Sequence, residues 1–194
     1  RSDILLERLF KVFGDVKIII IIRRQPDMIQ SLYRNYVMSG GLLSYTNLIK
    51  DINLEGHLIF EKLKYNFLIK AYQKKFKKKN VLVLPYEEFI KNKEKFVEKI
   101  YIFLGKKNYN IKQNEFNKKI NPNPGDLGIE LIRMLNYCNL DNNKLSYVKA
   151  FLGKINSKRK VNLFVSSNVI QEWKYSNKET ARLTGLNLKS LNYY

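Results

Sequence analysis

A chain of 194 residues, 45% of them hydrophobic and 13% aromatic, is long enough to bury one good core and too short for two independent ones, so a single domain spanning residues 1–194 is expected. The lone cysteine, Cys138, excludes an intramolecular disulfide and a cysteine-rich zinc site, and it points to a reducing compartment, the cytoplasm. A formal charge of +19 favours anionic partners such as nucleic acid, acidic lipid, a nucleotide or an acidic glycan, although the abundance of Asn, Ile and Tyr beside Lys also matches the codon bias of an AT-rich genome.

The first segment, residues 4–13, sets Leu5, Leu6, Leu9, Phe10 and Phe13 at helical spacing, with Gly14-Asp15 as the stop. The run Lys17 to Ile22 that follows is β-branched without alternation, the pattern of a strand covered by helices on both faces of a parallel sheet. Val16–Ile22 is also the most apolar stretch, far short of the roughly 20 residues that cross a bilayer, so no membrane span is expected. Pro26 and Asp27 then suit the first turn of a helix with Met28, Ile29, Leu32, Tyr36 and Val37 on one face and Gly40-Gly41 at its end. Leu42–Gly56 reads as a loop or short helix at the end of the sheet, a region suited to facing a substrate.

A long helix is expected over 58–78 and a second buried strand over Val81–Leu84, which repeats the strand-helix-strand pattern. Another helix follows, with Phe96, Val97, Ile100, Phe103 and Leu104 on a stripe and Gly105 in the capping position. After an Asn/Pro-rich connector at 121–125, Asp126 suits the N-cap of a helix through Leu135. Ser176 with Glu179 reads as a capping box for a last helix to about Leu183, closed by Gly185. The expected fold is α/β: a mostly parallel sheet flanked by helices, with a helical C-terminal half.

Open parallel sheets bind ligands beyond the carboxyl ends of their strands, where the next helix presents unpaired N–H groups and a positive dipole end. The Ile strand ends in Arg23-Arg24, and a guanidinium there can clasp phosphate oxygens bidentately. Ser31, on the helix that follows, can donate its hydroxyl to the same anion. In the competing reading both arginines are solvated or pair with acidic residues of the Glu7 helix or with Asp27.

The segment from Ile21-Ile22-Arg23-Arg24-Gln25-Pro26-Asp27 to Ser31-Leu32-Tyr33 resembles the 3'-phosphate-binding segment of sulfotransferases that use PAPS, 3'-phosphoadenosine 5'-phosphosulfate. That family pattern is an apolar strand, Arg, a short turn and a Ser eight residues after the Arg; Arg23 and Ser31 satisfy the spacing, and Arg24 lies one position out of register. The stretch NVLVLPYEEF at 80–89 is similar to the family's second strand with its Tyr-Glu motif, and Phe103-Leu104-Gly105 and Ser176-Asn177 with Gly185 continue the likeness.

The resemblance implies a P-loop-NTPase-like sulfotransferase fold, PAPS as co-substrate, no metal, and Arg23 and Ser31 as residues that bind the 3'-phosphate. It also implies a hydroxyl acceptor, on a carbohydrate by analogy with bacterial-looking members. The family's Gly-rich phosphate loop and its usual base precede the Arg strand. Here only an amphipathic helix precedes Arg23 and the chain starts at Arg1 rather than Met, so an N-terminally truncated domain of doubtful activity by itself is expected.

The remaining polar residues carry weaker signals. His57 is the only histidine, and it stands out of order for the family's base. Tyr86-Glu87 can shape a nucleotide pocket or simply charge a helix start, and the run Lys74–Lys79 can attract a polyanion or cap a helix end. Lys158-Arg159-Lys160 can stand in for the family's basic closing loop, but lacks its following Gly, and Trp173 reads as core. The alternative function is a basic nucleic-acid-binding module without catalysis, although no nucleic-acid-binding motif spacing is present.

Overall fold

The computed structural model describes residues 2–49, 57–106, 125–138, 151 and 167–194. The chain falls into two compact units, one of Arg1–Gln25, Phe60–Phe116 and Ser167–Tyr194, the other of Pro26–Ile59 and Asn117–Ser166.

The first unit is built on two parallel strands, β1 (Ile18–Ile22) and β2 (Val81–Pro85), paired in register from Ile18 opposite Val81 to Ile22 opposite Pro85. Helix α1 (Ser2–Phe13) precedes β1, and α4 (Tyr65–Phe76) packs on both strands and on α1. Ile69 and Phe76 of α4 are fully buried, with Ile22, Val83 and Leu84 from the strands. After β2 come α5 (Tyr86–Lys91) and α6 (Lys93–Leu104), and the long α8 (Ser167–Thr184) lies against α4. Helix α6 has a side-chain cap at its start, where Asn92 accepts from the Lys95 N–H, and ends at Gly105 in the left-handed region (φ 78°).

The second unit holds most of α2 (Gln25–Met38), a short helix at 45–49, the first residues of α3 (His57–Lys62) and α7 (Asp126–Asn136). Its core is Ile29, Tyr33, Val37, Tyr45, Ile49, Ile129 and Ile132. Polar contacts join α2 to α7: Tyr33 donates to Glu130, Arg34 pairs with Asp126 at 2.9 Å, and Asn136 donates to the Val37 and Gly41 carbonyls. Burial and the Glu130 carboxylate together raise the Tyr33 phenol well above its ordinary range. The turn after α2 requires glycine, since a Cβ on Gly41 would stand 2.3 Å from the Tyr36 ring, whose hydroxyl accepts from the Leu42 and Leu43 N–H groups.

The structure is thus a helix-dominated α/β arrangement with a small parallel sheet. Four local expectations differ from it. Among the described residues β1 is covered on one face only, because Ile19 and Ile21 are 37% and 55% exposed; an unbroken β-branched run carries no alternation from which to tell one covered face from two. The helix expected over 58–78 is broken between α3 and α4, where the Leu63 carbonyl accepts from the Gln25 side chain. Ser176 does not start the last helix, which runs from Ser167; its hydroxyl instead donates to Asn66 Oδ1 at 2.6 Å. The connector at 121–124 lies outside the described residues, and the cap expected at Asp126 falls on Gly125.

Candidate functional site

The strand register dictates what meets at the carboxyl ends of the sheet. With Ile22 opposite Pro85, the next residues out are Arg23 and Arg24 on one chain segment and Tyr86 and Glu87 on the other. The guanidinium carbon of Arg23 sits 4.9 Å from the centre of the Tyr86 ring, within cation–π range. Among the described residues Arg23 has no carboxylate partner. Arg24 differs: its backbone N–H donates to Glu87 Oε1 at 2.9 Å, and its Nε stands 3.7 Å from the same oxygen. Pairing with an acidic side chain, one form of the competing reading, therefore describes Arg24 through Glu87, whereas for Arg23 the solvated form still competes with the phosphate role. Glu7 of α1 is engaged elsewhere, by Lys75 at 2.6 Å.

The backbone of this turn is held from several directions. Tyr65, at the start of α4, donates its hydroxyl to the Arg23 carbonyl at 2.6 Å, and burial pushes that phenol up to about 12. Gln25 is 2% exposed and donates from Nε2 to the Leu63 carbonyl at 3.1 Å and to Asn177 Oδ1 at 2.8 Å. Asn177 answers by donating from Nδ2 to Gln25 Oε1 at 3.0 Å and to the Tyr193 carbonyl at 2.9 Å. Buried amides matched this way meet the requirement that polar groups removed from water find partners. Tyr193 donates its hydroxyl to Glu87 Oε2 at 2.7 Å.

Ser31 belongs to the second unit. It is half-buried in the second turn of α2, between buried Ile29 and Tyr33. Pro26 and Asp27 occupy the first turn of that helix as expected.

Tyr65, Gln25, Asn177 and Tyr193 were not singled out from the sequence as site residues. Their partners lie 16 to 152 positions away, and no periodicity or short motif encodes such pairing. Of the two readings of Tyr86-Glu87, the structure bears on the helix start: Glu87 charges the first turn of α5, and it also accepts from the Arg24 N–H.

A family model described as a sulfotransferase domain matches residues 5–182. The chain belongs to the sulfotransferase family. No curated protein and no solved structure matches it. In this sulfotransferase the matched span takes in both strands, the Arg23 turn, Ser31 and the Tyr86-Glu87 pair, and it stops within α8 before Leu183. PAPS is the donor that the family generally uses.

His57 is the first residue of α3, and Lys158-Arg159-Lys160 lie outside the described residues. In the lysine run, Lys75 pairs with Glu7 and stacks over Phe10 at 4.5 Å, and Lys77 pairs with Asp15, holding that carboxyl below its usual value. Trp173 is core, 4% exposed with its indole N–H donated to the Phe60 carbonyl. Cys138 is exposed and free. Among the described residues no acidic, His or Cys group is arranged to hold a metal, and no helix is long and apolar enough to cross a membrane.

Proposed function

We propose that this sulfotransferase moves a sulfuryl group from PAPS to an acceptor hydroxyl on a carbohydrate, and that Arg23 and Ser31 bind the 3'-phosphate of the donor. The observation that carries the reading is the state of Arg23. A guanidinium at the end of a parallel strand, stacked on Tyr86 and without a carboxylate partner among the described residues, is chemically suited to a phosphate. The helix that begins at Gln25, directly after the arginines in sequence, has a positive dipole end at its start, which favours negative charge. The eight-residue interval from Arg23 to Ser31, matching the family pattern, supports a shared phosphate.

The donor supplies an activated sulfuryl group with a phosphate leaving group; its transfer needs acceptor and donor held in line, a base to take the proton of the acceptor hydroxyl, and positive charge beside the leaving phosphate. On this reading the chain's own part is to bind and orient. Arg23 and Ser31 distinguish the donor from a nucleotide lacking the 3'-phosphate, and Arg24 and Gln25 fix the turn from which Arg23 projects. We place the protein in the cytoplasm, where a single exposed thiol such as Cys138 remains reduced.

The test is a calorimetric titration of the full-length protein with adenosine 3',5'-bisphosphate. Arg23→Ala is expected to weaken binding by about tenfold or more, the worth of a charge-assisted contact. Unchanged affinity in that variant contradicts the proposal. Binding of single-stranded nucleic acid that falls steeply with salt, with no response to the bisphosphate, would favour the basic binding module instead.

A further inference from the structure

The circuit of hydrogen bonds around the Arg23 turn closes through the end of the chain, in a segment beyond the span that matches the family. Leu188 is fully buried and anchors the segment, and the Tyr193 N–H donates back to its carbonyl at 3.1 Å. Asn192 takes a left-handed conformation (φ 60°), which folds the chain inward and delivers Tyr193 to a 6% exposed position. The carbonyl of Tyr193 accepts from Asn177, and its hydroxyl reaches Glu87 Oε2.

Glu87 is the carboxylate nearest in sequence to Tyr86, the residue on which Arg23 stacks. A carboxylate beside a guanidinium in a partly desolvated place is a strong competitor for any phosphate that the guanidinium is to bind. Here both oxygens of Glu87 are occupied, Oε1 by the Arg24 N–H and Oε2 by Tyr193. Burial, with the Glu87 carboxylate as acceptor, holds the Tyr193 phenol far above its ordinary range, so it stays a donor at any physiological pH.

We infer that Tyr193 is a positioning residue that keeps Glu87 turned away from Arg23, so that the guanidinium remains available to the donor's 3'-phosphate. The inference rests on the proposed role of Arg23. It assigns a specificity function to the C-terminal segment Leu188–Tyr193: loss of one phenolic hydroxyl frees Glu87 Oε2, and the freed oxygen competes for Arg23.

The experiment compares adenosine 3',5'-bisphosphate with adenosine 5'-monophosphate on the full-length protein, at a temperature well below each variant's measured melting point. Wild type is expected to prefer the bisphosphate. Tyr193→Phe is expected to reduce that preference about five- to tenfold, the worth of one competing contact to a charged group. The double variant Tyr193→Phe with Glu87→Gln is expected to restore it, because a neutral amide still accepts from the Arg24 N–H but does not form an ion pair with Arg23. A merely structural role for Tyr193 would lower the melting point without changing the ratio, and it would not be rescued by Glu87→Gln. An unchanged ratio in Tyr193→Phe, or a reduced ratio that the second substitution fails to restore, overturns the inference alone. A wild-type protein with no preference for the bisphosphate overturns the phosphate role of Arg23, and the inference falls with it.

Discussion

The two strands of the first unit have equal length and pair residue for residue, yet their surroundings differ. In β2, Val81, Val83, Leu84 and Pro85 are buried, whereas β1 buries only Ile22 and leaves Ile19 and Ile21 exposed. What they share is the turn at the carboxyl end, where Ile22 and Pro85 are the last pair before Arg23 and Tyr86. The difference teaches that an apolar strand and a covered strand are separate properties. Stability should follow coverage, and ligand binding should follow the shared end.

Substitutions can break or sharpen that comparison, and the largest effect is expected in β2. Leu84 is 1% exposed, so Leu84→Ala removes packed atoms and leaves a cavity, at a cost of about 3 kcal/mol by denaturant unfolding. At the shared end, Asn177→Ala strips Gln25 and the Tyr193 carbonyl of buried partners and should cost about 2 kcal/mol. If it costs nothing, the circuit does not hold the turn.

Tyr65→Phe should cost about 1 kcal/mol at neutral pH, from its bond to the Arg23 carbonyl. The pH dependence of that cost has a definite sign. Because the folded-state phenol is raised to about 12, its stabilisation is fully present below the ordinary value near 10 and is lost as pH rises through 12. The gap in melting temperature between wild type and Tyr65→Phe should therefore narrow between about pH 10 and pH 12. The smallest effect belongs to β1: Ile21, 55% exposed, should tolerate Thr at a cost under about 0.5 kcal/mol. A large loss there would show that the open face of β1 is covered in solution.

Much of this architecture was legible in the sequence, because strands and caps are local. The run of Ile residues, the VLVL strand and Gly105 as a left-handed cap all follow from residue type and immediate neighbours. Arg23 at a strand end was legible for the same reason. The circuit that holds it was not, since Gln25 pairs with Asn177 across 152 positions and Tyr193 returns to Glu87 across 106. The helix at the end of the chain was misread because Ser176 and Glu179 carry capping-box spacing inside a helix, where the serine hydroxyl finds Asn66 instead. The break after α3 had no local sign either, because the Leu63 carbonyl is claimed by a side chain 38 positions away.

The central claim is that Arg23 and Ser31 act on one phosphate, and a double-mutant cycle tests it most directly. Affinities for adenosine 3',5'-bisphosphate are measured by calorimetry for wild type, Arg23→Ala, Ser31→Ala and the double variant. Residues that share a ligand group should couple, so the account predicts that each single change weakens binding and that the double change departs from their sum by at least about 0.5 kcal/mol. Strictly additive losses, or no loss in either single variant, would contradict it.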